Sequence, residues 1–170
     1  MRNRSIKQVG DDQRYGGTGA PAQTRALLAR LGIEGQLRHL GLATSVSGNQ
    51  ILLQAEEYYT LIEVLTQTDH QLTVRMRTVL GEVLLADEAK SYLDSIKAEA
   101  SPSVVELTDD GVLSVCWTQD FTGEVHPAAV LTALNRMSGF VDSIHTVLME
   151  DCYLQPARGI AARLRTGGAQ

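Results

Sequence analysis

The stretch from Val104 to Leu148, VVELTDDGVLSVCWTQDFTGEVHPAAVLTALNRMSGFVDSIHTVL, constrains the fold more than any other. It opens with two strand-like runs, Val104 to Leu107 and Val112 to Thr118, joined by Thr108-Asp109-Asp110-Gly111. Asp-Gly between such runs is a strong hairpin signal, because the turn needs positive φ and glycine supplies it without steric cost. In the second run Leu113, Val115 and Trp117 share one face while Val112, Ser114, Cys116 and Thr118 take the other, which predicts Trp117 against helices. Pro127 then suits a first helical position, and the helix it opens is expected to reach about Glu150. Its apolar residues Val130, Leu134, Met137, Val141, Ile144 and Leu148 recur at helical spacing for about five turns. Ala133, Phe140 and Val147 widen that stripe, and Asn135, Arg136, Asp142 and Ser143 lie opposite, toward water.

The chain before this region supplies the rest of the fold. Pro21 begins a helix whose stripe is Ala26, Leu27, Leu28 and Leu31, and Gly32 makes a natural stop; Ile33, Leu37 and Leu40 add a further turn or two before Gly41. Leu42 to Ser47 and Gln50 to Ala55 flank Gly48-Asn49 and read either as a tight hairpin or as one bent strand. Tyr58 to Leu65 is aromatic and β-branched, and Gln71 to Leu80 alternates, with Leu72, Val74 and Met76 on a dry face and Thr73, Arg75 and Arg77 on a wet one. Ala86 to Ala98 reads as a helix with Asp87 as N-cap and a stripe of Ala89, Tyr92, Leu93 and Ile96, ended by Ser101-Pro102.

This order, helix, three strands, helix, two strands, helix, predicts an α+β domain in which an antiparallel sheet packs one face on helices. One core suffices for a chain of 170 residues. The expected division is a flexible leader over 1–20, a single domain over 21–153 and a basic flexible tail over 154–170. No apolar run approaches the roughly 18 residues of a membrane span, and no apolar segment follows the N-terminal cations, so a cytoplasmic setting is expected. The net charge of −5 divides unevenly. Residues 1–20 set Arg2, Arg4, Lys7 and Arg14 against Asp11 and Asp12, and residues 154–170 carry Arg158, Arg163 and Arg165 with no acid. The body between them is strongly acidic, which argues against nucleic acid as a partner.

A search for chemistry finds no local signature. Gly16-Gly17-Thr18-Gly19 follows no strand and lacks the Lys-Ser/Thr end of a phosphate loop. His39, His70, His126 and His145 are far apart and none has a second His or Cys at ligand spacing, so neither a metal nor another cofactor is expected. Asp109 and Asp110 are explained by their turn, and Glu56-Glu57 and Glu150-Asp151 read as solvated charges at element ends. Cys116 reads as a small packing residue and Cys152 as a free thiol. No catalytic residue is assigned, and the chain reads as non-enzymatic; the alternatives are a small enzyme with a site built from dispersed residues and a structural homodimer.

The leading helix ending in LLARLGI, the run YYTLIEVLTQTDHQLTVRMRTVL, the strand pair VVELTDDGVLSVCW and the final helix VLTALNRMSGFVDSIHTVL resemble the YbjN family and the type III secretion chaperones, over about Thr24 to Leu148. The resemblance implies a strongly bent antiparallel sheet in a bacterial cytoplasmic protein that is often dimeric. It also implies a protein-binding role, chaperone-like or regulatory, in which apolar patches hold a protein partner without ATP. The residues expected at a partner or dimer surface are Leu131, Met137, Phe140, Ile144 and Val147 of the last helix, of which Leu131, Phe140 and Val147 lie toward the edges of its main row.

Overall fold

The structure, a computed structural model, describes residues 21–157. The leader and all but the first four residues of the basic tail lie outside the described residues. The elements are α1 (Ala22–His39), β1 (Thr44–Ser47), β2 (Gln50–Gln54), β3 (Tyr59–Thr68), β4 (Gln71–Val83), α2 (Ala86–Ile96), β5 (Val104–Leu107), β6 (Val112–Thr122), α3 (Pro127–Asp151) and β7 (Leu154–Pro156). The architecture is α+β, as the element pattern predicts. It has one strand more in the first group, because Gly48 takes φ +57 and turns β1 and β2 into a hairpin, and a short strand after the last helix.

All pairings are antiparallel, in the order β1-β2-β3-β4-β6-β5, with β7 on β4. The dry face carries Ile51, Ile62, Val64, Leu72, Val74, Met76, Leu113, Val115 and Trp117, all buried. Against it lie Ile33 and Leu37 of α1 and the whole predicted stripe of α3, Val130, Leu134, Met137, Val141, Ile144 and Leu148. Thr60 and Thr78 are buried partners in register, and their hydroxyls meet at 2.7 Å, which satisfies both without water.

The other face is open at Arg75 and half-open at Arg77, as alternation predicts. Thr73 departs from that pattern and is buried, because this short side chain sits between its longer cross-strand partners Leu65 and Asp120 and donates its hydroxyl to Asp120 Oδ1 at 2.5 Å. A bulge between Val79 and Gly81 breaks the β4 ladder and bends the strand. Beyond it β4 loses β3 as a neighbour, and β7 takes the vacated side. Gly81, at φ +149, permits this, since a Cβ there would lie 1.9 Å from the Gln155 carbonyl oxygen. Past residue 153 the chain stays packed on the sheet: Ala157 is fully buried, and its N–H lies 3.0 Å from the Leu80 carbonyl and 3.2 Å from that of Glu57.

Two helix expectations are corrected. Asp87 is not the N-cap of α2; that position belongs to Leu85, and Asp87 and Glu88 stand in the first turn, where the helix dipole favours acids. The first helix does not stop at Gly32 but runs on to His39. Gly32 instead lies against α3, where an added Cβ would meet Pro127 Cγ at 3.3 Å, so glycine lets the two helices approach closely.

Candidate interaction surface

Running α1 through Gly32 decides which side of it faces inward. In a continuous helix Ala26, Ala29, Ile33 and Leu37 fall on one line at steps of three and four residues, and all four are buried. The expected stripe is turned outward: Leu27, Leu28 and Leu31 are 48%, 58% and 48% exposed. The inner side also takes two charged residues, Arg30 and Glu34, which pair at 2.9 Å, while Glu34 holds the exposed Arg38 at 2.6 Å. Arg30 Nε is buried without a hydrogen-bond partner. At the start of the helix, Arg25 donates to the carbonyls of Asp69 and Gly123, tying α1 to the β3–β4 turn and to the end of β6. The helix is thus anchored by its cations and shows leucine to water, the reverse of the usual arrangement.

The leucines do not stand alone. Six of the nine large apolar side chains exposed among the described residues lie between 27 and 46: the three on α1, then Leu40, Leu42 and Val46. Val46 belongs to β1, which packs near α1 and forms one edge of the sheet, paired on one side only. That edge, TSVS, has no charge and no proline, two of the devices by which edge strands avoid pairing with other chains. The apolar helix face and the bare strand edge thus belong to two elements that pack on each other. Sequence reasoning missed the outward face of α1 because Leu27, Leu28 and Leu31 have helical spacing too; the clue was the line Ala26, Ala29, Ile33, Leu37, visible only if Gly32 is read as interior.

The five α3 residues expected at a partner surface divide. Met137, Phe140 and Ile144 are buried in the chain's own core, because α3 lies across β4 and β6 and needs the full width of its stripe there. Leu131 and Val147 remain partly exposed.

The chemistry-bearing side chains are scattered. His39, His70 and His126 are exposed. His145 has an 11% exposed side chain whose Nδ1 lies 3.4 Å from Glu57 Oε2, while its Nε2 is buried without a partner. Beside it the Tyr58 hydroxyl donates to Asp142 Oδ1 at 3.1 Å; burial, then the Asp142 carboxylate, pushes the tyrosine above its ordinary range. Cys116 is half-exposed rather than buried and donates to Glu106 Oε2 at 3.3 Å. Burial first, then that carboxylate, pushes its thiol up to about 11. Cys152 is free but buried in the core, which pushes its thiol up as well. Among the described residues no group of three or more His, Cys, Asp or Glu is placed to hold a metal ion, and no helix is long and apolar enough to cross a membrane.

Elsewhere α3, the end of β6 and the loop after α2 enclose a cleft of about 690 Å3, lined by Trp117 and Phe140 and flanked by Arg136 and Glu99. The loop contains a cis Ser101-Pro102 bond.

No protein-family model and no curated protein sequence matches the chain. Solved structures do. A chain of the ExsC-ExsE complex matches with a TM-score of 0.50 at 10% identity, over 73% of this chain and 95% of its own. YbjN from E. coli matches with a TM-score of 0.45 at 12% identity, over 67% of this chain and 89% of its own. An uncharacterized protein from Methanothermobacter thermautotrophicus matches at 0.49 and 7% identity, over 73% and 99%. At these identities the likeness is one of fold: the chain shares its fold with a chain of the ExsC-ExsE complex.

Proposed function

We propose that this chain is a non-enzymatic protein-binding module, chaperone-like or regulatory, working in the cytoplasm on a partner held against α1 and β1. The observation that carries the reading is the inversion of α1, which turns Leu27, Leu28 and Leu31 to water while its inner side takes a buried Arg-Glu pair. Exposed apolar surface next to a bare strand edge suits an extended segment, whose backbone extends the sheet while alternate side chains rest on the leucines. The fold shared with a chain of the ExsC-ExsE complex supports a protein as the partner. Leu131 and Val147 on α3 are a second, smaller contact, open to a partner or to another copy of the chain.

A photocrosslinking residue at position 28, compared with one at the exposed Asn135, tests the proposal in the native host. The expected result is a discrete adduct with another protein from position 28 only, lost when Leu31 is changed to Gln. Adducts no different from those at position 135 refute it. An adduct of twice the chain's mass assigns the surface to self-association instead.

A further inference from the structure

The cleft beside α3 is far simpler in its charges than the rest of the acidic body. Its aromatic base is Trp117 and Phe140, both largely buried, and Ala129 and Ala133 on α3 leave the space above them unfilled. Two opposite charges stand on different walls, Arg136 on α3 and Glu99 on the loop after α2, and both are exposed. They do not pair with each other, and neither pairs with any other described residue. The hydroxyls of Thr132 and Ser143 in the same lining donate to their own helix, to Ala128 O and Phe140 O, and so turn only lone pairs outward. The cleft therefore presents one cation and one carboxylate on different walls, the neutral polar groups of Gln119, Ser101 and Ser103, and an apolar base between them.

We propose that this cleft binds a small apolar zwitterion, a dipeptide of bulky apolar residues being the simplest. Its carboxylate lies on Arg136, its ammonium on Glu99, and its side chains over Trp117 and Phe140. Charges of both signs beside an apolar base favour a zwitterion over a plain fatty acid or a plain amine, since each of those pairs with one wall charge only. The volume falls in the range of small-molecule sites, about 300 to 1,000 Å3. The inference rests on the cleft alone and is independent of α1.

Trp117 is the only tryptophan of the chain, so its fluorescence and its indole N–H resonance report on the cleft directly. The probes are leucyl-leucine, its N-acetyl form, which lacks the ammonium, and its C-terminal amide, which lacks the carboxylate. A saturating change is expected with leucyl-leucine, and binding weaker by about tenfold or more with either blocked form, the usual effect of losing one charge-assisted hydrogen bond. Arg136→Gln then abolishes the discrimination against the amide, and Glu99→Gln that against the acetyl form; both side chains are exposed, so both variants fold. No saturating change in either signal at millimolar dipeptide, or equal binding of the three probes, overturns the proposal. So does discrimination that survives these substitutions.

Discussion

Leu28→Gln and Leu37→Ala, made separately, test the orientation of α1 on which the binding surface depends. Leu28 keeps 58% of its surface in water, and Leu37 none. At about 2 kcal/mol for full burial of a leucine side chain, Leu28 contributes less than about 1 kcal/mol to the fold, and glutamine matches leucine closely as a helix former. Leu37→Ala removes a fully buried side chain and leaves a cavity, a loss of about 2 to 5 kcal/mol. With a urea m-value of about 2 kcal/mol/M, the unfolding midpoint falls by about 1 M or more for Leu37→Ala and by less than about 0.5 M for Leu28→Gln, at unchanged m. Were the helix turned with the Leu27, Leu28 and Leu31 stripe inward, the ranking would invert. A midpoint for Leu28→Gln as low as that for Leu37→Ala therefore refutes the orientation and removes the binding surface with it. The expected outcome leaves Leu28→Gln as a stable protein in which loss of a partner reflects the surface alone.

Further expectations concern the anchoring of the helix, the end of the chain and the thiols. Glu34→Gln leaves the buried Arg30 without its carboxylate and is expected to cost about 3 to 5 kcal/mol in urea unfolding, whereas replacing Arg30 and Glu34 together with methionine recovers most of that loss. Gly81→Ala drives a methyl group into the Gln155 carbonyl, so β7 must leave β4, and hydrogen exchange at the Ala157 amide rises sharply while that of the β3–β4 ladder is retained. With its thiol raised from 9.0 to about 11, Cys116 alkylates at pH 8 about a hundredfold more slowly than an unperturbed cysteine of equal access. The folded thiol keeps its proton where the unfolded one has lost it. The Cys116 contribution to stability is therefore constant below pH 9 and is lost as pH rises through about 11, which thermal unfolding of wild type and Cys116→Ser across that range measures.

How much of this was legible follows from how far each segment's pattern admitted one reading. In α3 the apolar residues leave a single stripe wide enough to cover a sheet, and all six of its main positions are buried. In β6 the alternation of Leu113, Val115 and Trp117 against polar neighbours likewise had one solution. The strand β7 gave no pattern, being three residues long and held by backbone pairing and by Gly81, which lies far earlier in the chain on β4. Thr73 had the right face and the wrong exposure, because exposure there depends on the length of Leu65 and Asp120 across the ladder, which only register reveals.

The first helix failed for a different reason, and that reason bears on function. Its sequence offers two stripes of helical period, one of leucines and one of alanines with Ile33 and Leu37, and burial energy alone favours the leucines. The fold takes the other because small residues let α1 lie close to α3 at Gly32 and Pro127, and because the Arg30-Glu34 pair then closes on itself under the helix. A helix that is apolar on both sides is ambiguous to a reader of sequence for the same physical cause that makes it adhesive in the folded protein: one side serves the core, and the other keeps its affinity for apolar surface. The ambiguity at Leu27, Leu28 and Leu31 was itself the signal of a second surface. Polar substitution of the outer stripe alone should therefore make the helix readable and, by the reasoning above, leave the fold intact while the partner is lost.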